Sequence, residues 1–439
     1  MSRTSARLRR GITAAAVAGG LTVPLTGTPA GAAPAPTALT GPAASSVSAG
    51  PLPLAPAADP PGPTPSASPT ASLPGTGVRE LTPAVARELD DAVRKVMREA
   101  DIPGATIGIW TPDHGSYVRS FGVADKSTGQ RMSPDLSMRI GSETKTFTVT
   151  ALLKLVDQGK AGLDDPIGKY VDGVPNGDRI TLRQLAGMRS GLFNYSEDEG
   201  FFKALTSDPE RPFTPQELLD YSFKHPVMFP PGSKFFYSNT NLILLGLVVE
   251  KQSGQKLGDY IAQHILRPAG MRHTVFPTGA EFPDPHAQGY TNQTADGKVA
   301  DAADWNPSWG WAAGAMISRL DDLRVWARTV ATGEYPDGVR MVDPATQRER
   351  LVTPSTSVPG VGYGLGIFDV HGWIGHNGSL PGYESLTVYL PSARATMVVL
   401  LNTDISHAGQ EPSTLLGKAV TGIVSPDHVY DLPAAPKGR

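Results

Sequence analysis

Arg139-Ile140-Gly141-Ser142-Glu143-Thr144-Lys145 leads into Thr146-Phe147-Thr148-Val149-Thr150-Ala151-Leu152-Leu153-Lys154-Leu155-Val156, a run that reads as a helix opening near Ser142. A Ser and a Lys three residues apart at a helix start share one face, about one turn apart. The unsatisfied N–H groups of a first turn favour negative charge developing beside them. A hydroxyl, a cation and backbone donors are what acyl transfer needs. Taken alone, the same four residues also describe a capping Ser and a solvated Lys. The rest of the chain has to separate the two readings.

Upstream, the spacing predicts a helix and a hairpin. Thr82-Pro83 is a cap followed by Pro at the first helical position. Val85, Leu89, Val93, Val96, Met97 and Ala100 then recur at helical intervals, and Pro103-Gly104 ends the run. Ala105 to Trp110 and Ser116 to Val123 are β-rich and flank Thr111-Pro112-Asp113-His114-Gly115, a turn sequence. From Leu152 to Arg328 the segments are mainly helices and loops, among them Thr181 to Met188, Thr214 to Phe223, Asn241 to Gln252 and a stretch from Leu320. After Val361 the pattern returns to β: Gly364 to Val370, His371 to His376, Glu384 to Tyr389 and Thr396 to Asn402. The last is nearly all apolar, as a buried central strand would be. Pro412 to Val424 reads as a closing helix. The expected fold is α+β: an antiparallel sheet built from early and late strands, flanked by helices, with a mostly helical inserted subdomain.

The chain has 439 residues and 40% hydrophobic content, enough for a sizeable core. A formal charge of −3 offers nothing to nucleic acid or an anionic membrane. There is no Cys, so disulfides, thiolate metal sites and Cys nucleophiles are excluded. The nine His are scattered without a His-x-x-x-His pair, and no metal or cofactor is expected. No Gly-x-Ser-x-Gly elbow or phosphate-binding glycine loop occurs. Arg3, Arg7, Arg9 and Arg10, an apolar stretch to Leu25 and the small residues Ala30-Gly31-Ala32 form an export signal over 1–32. The Pro/Ala/Ser-rich segment 33–77 reads as a disordered linker. The folded domain is expected over 78–425 and a tail over 426–439. No later apolar run is long enough to span a bilayer, so the mature chain is expected to be secreted, with no membrane contact after cleavage.

Two further stretches bear on Ser142 and Lys145. In Pro230-Pro231-Gly232-Ser233-Lys234-Phe235-Phe236-Tyr237-Ser238-Asn239, a Gly/Pro turn sets a phenol and an amide two apart before an apolar helix. Tyr237 can shuttle a proton, and Asn239 can donate to a substrate carbonyl and contact Lys145. In Gly375-His376-Asn377-Gly378-Ser379, at the end of a β-run, a strand edge can bind an extended substrate, and the Ser379 N–H can join that of Ser142 as an oxyanion hole. Ordered Ser-x-x-Lys, Tyr-x-Asn and His-Asn-Gly motifs resemble those of the penicillin-recognising serine hydrolases. The likeness is to class C β-lactamases and, more closely, to secreted D-alanyl-D-alanine carboxypeptidases of actinomycete type. Phe121-Gly122-Val123-Ala124-Asp125, Ser190-Gly191-Leu192, Trp309-Gly310-Trp311-Ala312-Ala313-Gly314 and Tyr363-Gly364-Leu365-Gly366 extend it over about Val78 to Val424.

The resemblance implies a β-lactamase/transpeptidase-like fold and an acyl-enzyme on Ser142. Lys145 and Tyr237 would handle the proton, with either as the base. Asn239, His376, Asn377, Gly378 and Ser379 would bind and orient substrate, and Trp311 would line the pocket. The expected partner is a small peptide, ester or β-lactam, with peptidoglycan stem peptides leading. Esterase and β-lactamase activities share these motifs, and a non-catalytic sensor of penicillins or wall fragments is the alternative of another class. Asn377 departs from the pattern, in which a Thr stands at that position of the third motif; the change replaces a hydroxyl with an amide where a substrate carboxylate would be met.

Overall fold

The structure is a computed structural model that describes residues 77–433. The expected export signal and all but the end of the expected linker lie outside the described residues.

The first helix, α1 (Pro83–Glu99), starts where the sequence places it. The Thr82 side chain accepts from Val85 N, Pro83 opens the helix, and Val85, Leu89, Val93 and Met97 are buried along one stripe. Strands β1 (Gly104–Thr111) and β2 (Gly115–Gly122) form the expected hairpin, in register Ala105↔Phe121 through Thr111↔Gly115. The chain then reaches α2 (Thr144–Asp157), which carries Lys145 on its first turn.

The late β-segments are β3 (Val361–Tyr363), β4 (Phe368–Val370), β5 (Trp373–Leu380), β6 (Tyr383–Leu390) and β7 (Ala395–Leu401). With the early hairpin they make one seven-stranded sheet in the order β2-β1-β7-β6-β5-β4-β3. All its pairings are antiparallel. The two ends of the chain meet where β1 pairs with β7, Ala105 facing Leu401. Every residue of β6 and β7 is buried, as strands covered on both faces require.

Two strand boundaries differ from expectation. Of the run expected over Gly364 to Val370 only the end, β4, is strand; β3 stops at Tyr363, and a turn at Gly366, which has φ +67, separates the two. A Cβ on Gly366 would lie 2.6 Å from Val149 Cγ2, so the turn is pinned against α2. The strand expected over His371 to His376 starts two residues later, because His371 and Gly372 turn at φ +52 and +92, and it continues through Leu380.

Helices cover both faces of the sheet. Helix α4 (Leu320–Thr332) lies on one face, where Ala327 and Ala331 pack on Tyr389. On the same side α2 joins it: Phe147 stacks on Trp326 at 4.0 Å, and Trp326 Nε1 donates to Thr146 Oγ1. The opposite face carries α5 (Pro412–Val424) packed on α1. Between α2 and β3 lies the helical insert, dominated by α3 (Asn239–Ser253), which packs on α2. The expected tail is a correction: residues 426–433 still belong to the fold. Tyr430 and Leu432 are buried, and Tyr430 N donates to Thr421 Oγ1 of α5.

Three carboxyls are enclosed around β5 and β6. Glu143 lies on the α2 side beside Ser385 and Thr387, Glu384 accepts from Ser413 N, and Glu411 accepts from Asn377 Nδ2. The Glu143 carboxyl is fully buried, with only the Ser385 and Thr387 hydroxyls set against that burial. Burial pushes its pKa up to about 8, offset in part by the two hydroxyls. A folded-state pKa above the unfolded value gives stability that is complete below pH ~4.5 and is lost as pH rises through the folded value. Glu143→Gln is therefore expected to gain on the parent by roughly 1.4 kcal/mol for each pH unit crossed in that window. Urea melts at pH 5 and pH 8 test this; an unchanged difference between the two proteins would show that Glu143 does not titrate there. A second expectation concerns Gly378, whose Cβ would stand 1.9 Å from Ile140 O. Gly378→Ala should cost about 2 kcal/mol or more in the same assay, since overpacking a rigid backbone contact forces strands apart.

Candidate active site

The nucleophile candidate sits on a turn pressed against the sheet. Gly141 (φ +50) starts a 3-10 turn, Gly141–Glu143, and α2 proper begins at Thr144, two residues later than Ser142. A Cβ on Gly141 would lie 2.7 Å from Ser379 N, so only glycine lets this turn approach β5 so closely. The close approach brings the Ser142 and Ser379 segments side by side, the arrangement expected for two oxyanion donors.

Lys145 is fully buried one turn on. Its Nζ lies 2.8 Å from Ser142 Oγ and donates to Ala313 O at 2.7 Å. The Tyr237 ring is also adjacent, its centroid 4.8 Å from Nζ. Among the described residues no carboxylate pairs with Lys145, and burial drives its pKa well below the usual lysine value. Burial likewise raises the Tyr237 phenol; a hydrogen bond with Ser142 works against that rise and the Glu411 charge adds to it. Burial thus favours the uncharged forms of Lys145 and Tyr237 beside the Ser142 hydroxyl.

The second motif is set by the loop before it. Tyr237 precedes α3, and Asn239 is the first residue of that helix. Asn239 N donates to Asn194 Oδ1 at 3.0 Å, and its Nδ2 donates to Ser196 Oγ at 3.1 Å. Its side chain lines the cavity above Ser142, but the expected bond to Lys145 is taken by the Ala313 carbonyl. The same loop supplies Tyr195, which also lines the cavity and donates to Trp309 O at 2.5 Å. Tyr195 was not among the expected site residues. The nearby Ser190-Gly191-Leu192 marked the loop, but no spacing singled out an aromatic within it.

The Trp assignment changes. The cavity is lined by Trp309, with Gly310, Ala313 and Gly314, and not by Trp311. Two successive 3-10 turns and a positive φ of 32 at Trp311 send that ring onto α3, against Gly246.

The third motif divides between the two faces of β5. Ser379 and Leu380 line the cavity. His376 packs among Tyr237, Tyr363 and Phe368. Its Nδ1 donates to Asn377 O at 2.5 Å, and its Nε2 lies 3.2 Å from the Tyr363 hydroxyl. Burial and the neighbouring Lys145 push its pKa down to about 3, so it supplies no positive charge. Asn377, expected to meet substrate, turns to the α5 face, where its Nδ2 donates to Glu411 at 2.8 Å. Gly378 lies under Ile140 O and acts by admitting the turn. Strand β4 pairs with β5 only as far as Gly375, so among the described residues no strand pairs with His376–Leu380 on that edge.

Among the described residues no metal-ligand set gathers here. Elsewhere, His273, Asp321 and Asp322 bring three ligand atoms within 4.8 Å of one another at the start of α4. Asp322 there already accepts from His273 N and Thr274 Oγ1. A wider groove crosses β1, β2 and α4, lined in part by Trp110, Arg324 and Tyr389, and it holds none of the motif residues.

Comparison with known proteins agrees with this geometry. The family model Beta-lactamase matches residues 89–420. Protein flp of Staphylococcus aureus (strain MW2) is 27% identical over 331 residues, covering 73% of this chain and 64% of its own length. PbpX of Bacillus subtilis (strain 168) is 26% identical over 284 residues, covering 65% of this chain and 66% of its own. The chain thus spans about two thirds of the curated relatives it matches. A D-stereospecific amidohydrolase from Streptomyces sp. superposes with TM-score 0.66 at 30% identity, over 73% of this chain and 94% of that one. The D-amino acid amidase of Ochrobactrum anthropi SV3 gives TM-score 0.66 at 26% identity, over 76% and 97%. With its motif order, its sheet and this span of match, the chain belongs to the beta-lactamase family of serine hydrolases.

Proposed function

We propose that the chain cleaves small amides and peptides through an acyl-enzyme on Ser142, as an exported enzyme. The observation that carries this is the fully buried Lys145 amine, 2.8 Å from Ser142 Oγ and without a carboxylate partner. A neutral amine is a good base and a neutral phenol a poor one. Lys145 would take the Ser142 proton as Oγ attacks the carbonyl carbon. Tyr237, hydrogen-bonded to Ser142, would relay a proton to the departing nitrogen. The Ser142 and Ser379 N–H groups would hold the oxyanion. Water then attacks the ester, the proton path reverses, and Ser142 is restored. The amidase neighbours support amides as substrates. The basic, then apolar, N-terminal sequence supports a place outside the cytoplasm.

D-Alanyl-D-alanine carboxypeptidase-like cleavage of stem peptides is the second reading. The unpaired edge of β5 beyond Gly375 favours it, because such an edge can add an extended peptide as a strand.

Incubation with a p-nitrophenyl ester and with D-phenylalaninamide, followed by intact-protein mass, tests the chemistry. The expected result is turnover of both and a trapped acyl adduct on Ser142, absent in Ser142→Ala. An adduct that forms without turnover would favour the sensor alternative, and no adduct with either substrate would sink the enzyme reading. The base assignment has its own check. The active amine is the unprotonated one, so kcat/KM should fall as pH drops through the lowered Lys145 pKa. Lys145→Arg, which stays charged, should lose about 10²–10⁴-fold in acylation rate.

A further inference from the structure

We infer that this site selects acyl donors whose leaving side is uncharged, such as primary amides, anilides, esters and amidated peptides, and turns away a free carboxylate there. The inference rests on the acyl-enzyme reading above and concerns which substrates that machinery accepts.

The third-motif strand is where a carboxylate beyond the scissile bond would have to be received. Its imidazole and its side-chain amide are committed elsewhere, which leaves the Ser379 hydroxyl, an uncharged donor, at the cavity. Both nitrogens of His376 are occupied, one donating to Asn377 O and the other facing the Tyr363 hydroxyl inside an aromatic cage. An imidazole bonded in this way has no free N–H for an anion. The Asn377 amide is held on the far face by Glu411.

The ionisable groups built around the strand are carboxyls, which give an anion no counter-charge whether or not they carry a proton. Glu143 lies on the α2 face of β6, and Glu384 and Glu411 are bonded toward α5. The fully buried guanidinium groups of Arg139 and Arg350 bond the fold through Nη2, and neither residue lines the cavity. Arg139 donates to the carbonyls of Ala280, Ala303 and Trp305, and Arg350 to Thr146 O and Thr150 Oγ1. Among the described residues that line the cavity, which include Tyr195, Asn239, Trp309 and Leu380, none is cationic.

Moving a carboxylate from water into such surroundings forfeits its hydration without a counter-charge. An amide or ester loses far less. The chemistry balances for an amide: the Ser142 Oγ–carbon bond forms, the carbon–nitrogen bond breaks, and the Ser142 proton leaves with the nitrogen as ammonia or an amine. Water then releases the acid and returns the proton to Ser142.

Matched substrates test the inference on the intact enzyme. One pair is an N-acylated D-alanyl-D-alanine peptide with a free C-terminus and the same peptide as its C-terminal amide, each followed at the D-Ala–D-Ala bond. Another is benzylpenicillin and its methyl ester, followed by acylation of Ser142. The uncharged member should lead in kcat/KM or acylation rate by at least about 50-fold, the size of effect expected when a site leaves a polar group unpaired. His376→Arg, whose guanidinium keeps its charge where a lysine would lose it, should narrow the peptide ratio at least about tenfold by raising the acid form. Equal rates, or a preference for the acid, in the parent enzyme would overturn the inference and leave the acyl-enzyme reading standing. No turnover of either peptide together with no adduct from a p-nitrophenyl ester would overturn both. Because the parent's own ratio decides the matter, a His376→Arg protein that fails to fold does not rescue the inference.

Discussion

The fold and the site both depend on one contact, the Ile140-Gly141-Ser142 turn laid on β5 and β6. Ile140 O accepts from Ser385 Oγ at 3.0 Å and sits where a Cβ on Gly378 would be. Gly141 meets Ser379 N in the same way from the other side. Two glycines, one from each end of the chain, are thus fitted to each other's backbone. Their contact brings the nucleophile on α2 to the sheet built by the C-terminal strands. It also sets Ser142 beside the one stretch of β5 whose outer edge has no partner strand among the described residues. Close-packed backbone contacts of this kind transmit position with little tolerance.

Around that contact the protein encloses ionisable groups without counter-ions. Lys145, Tyr237, His376 and Glu143 are all buried, and burial shifts each toward its neutral form. Their neutrality is a consequence of where the backbone places them, because an unpaired charge in a dry interior costs several kcal/mol. For Lys145 the cost favours the uncharged amine, the form able to accept a proton. The same enclosure makes His376 chemically silent. One physical term thus creates a reactive group and retires another within the same wall of the site.

Much of this was legible from residue types. The α1 cap, the β1–β2 hairpin, the apolar β7 and the α5 helix each follow from local spacing, because their periodicity and their packing agree. Ser142, Lys145, Tyr237 and Ser379 could be named because the Ser-x-x-Lys spacing sets two of them on one face of a helix start and the other two stand in ordered motifs beside turns and a strand end. What was not legible depends on which way a side chain turns after the chain has folded. Trp309 and Trp311 are indistinguishable as letters, and only the positive φ at Trp311 decides that Trp309 faces the cavity. The split of β3 from β4 rests on Val149, more than two hundred residues away in sequence. Tyr195 reaches the cavity because its hydroxyl finds the Trp309 carbonyl, a long-range bond with no local signature.

Asn377 shows how a motif position can keep its backbone role and change its side-chain role. Side chains alternate along a strand, so with His376 turned to the site, Asn377 faces α5. There its amide donates to Glu411, the N-cap residue of α5, whose other carboxyl oxygen has no partner. A Thr at this position could offer one hydroxyl; Asn reaches further and ties the strand to the start of the helix. Removing either partner leaves a buried polar group unpaired, at about 1–3 kcal/mol. The departure from the motif pattern is therefore coupled to Glu411 and not to the substrate. It fixes the strand from behind, while among the described residues no strand pairs with its front edge.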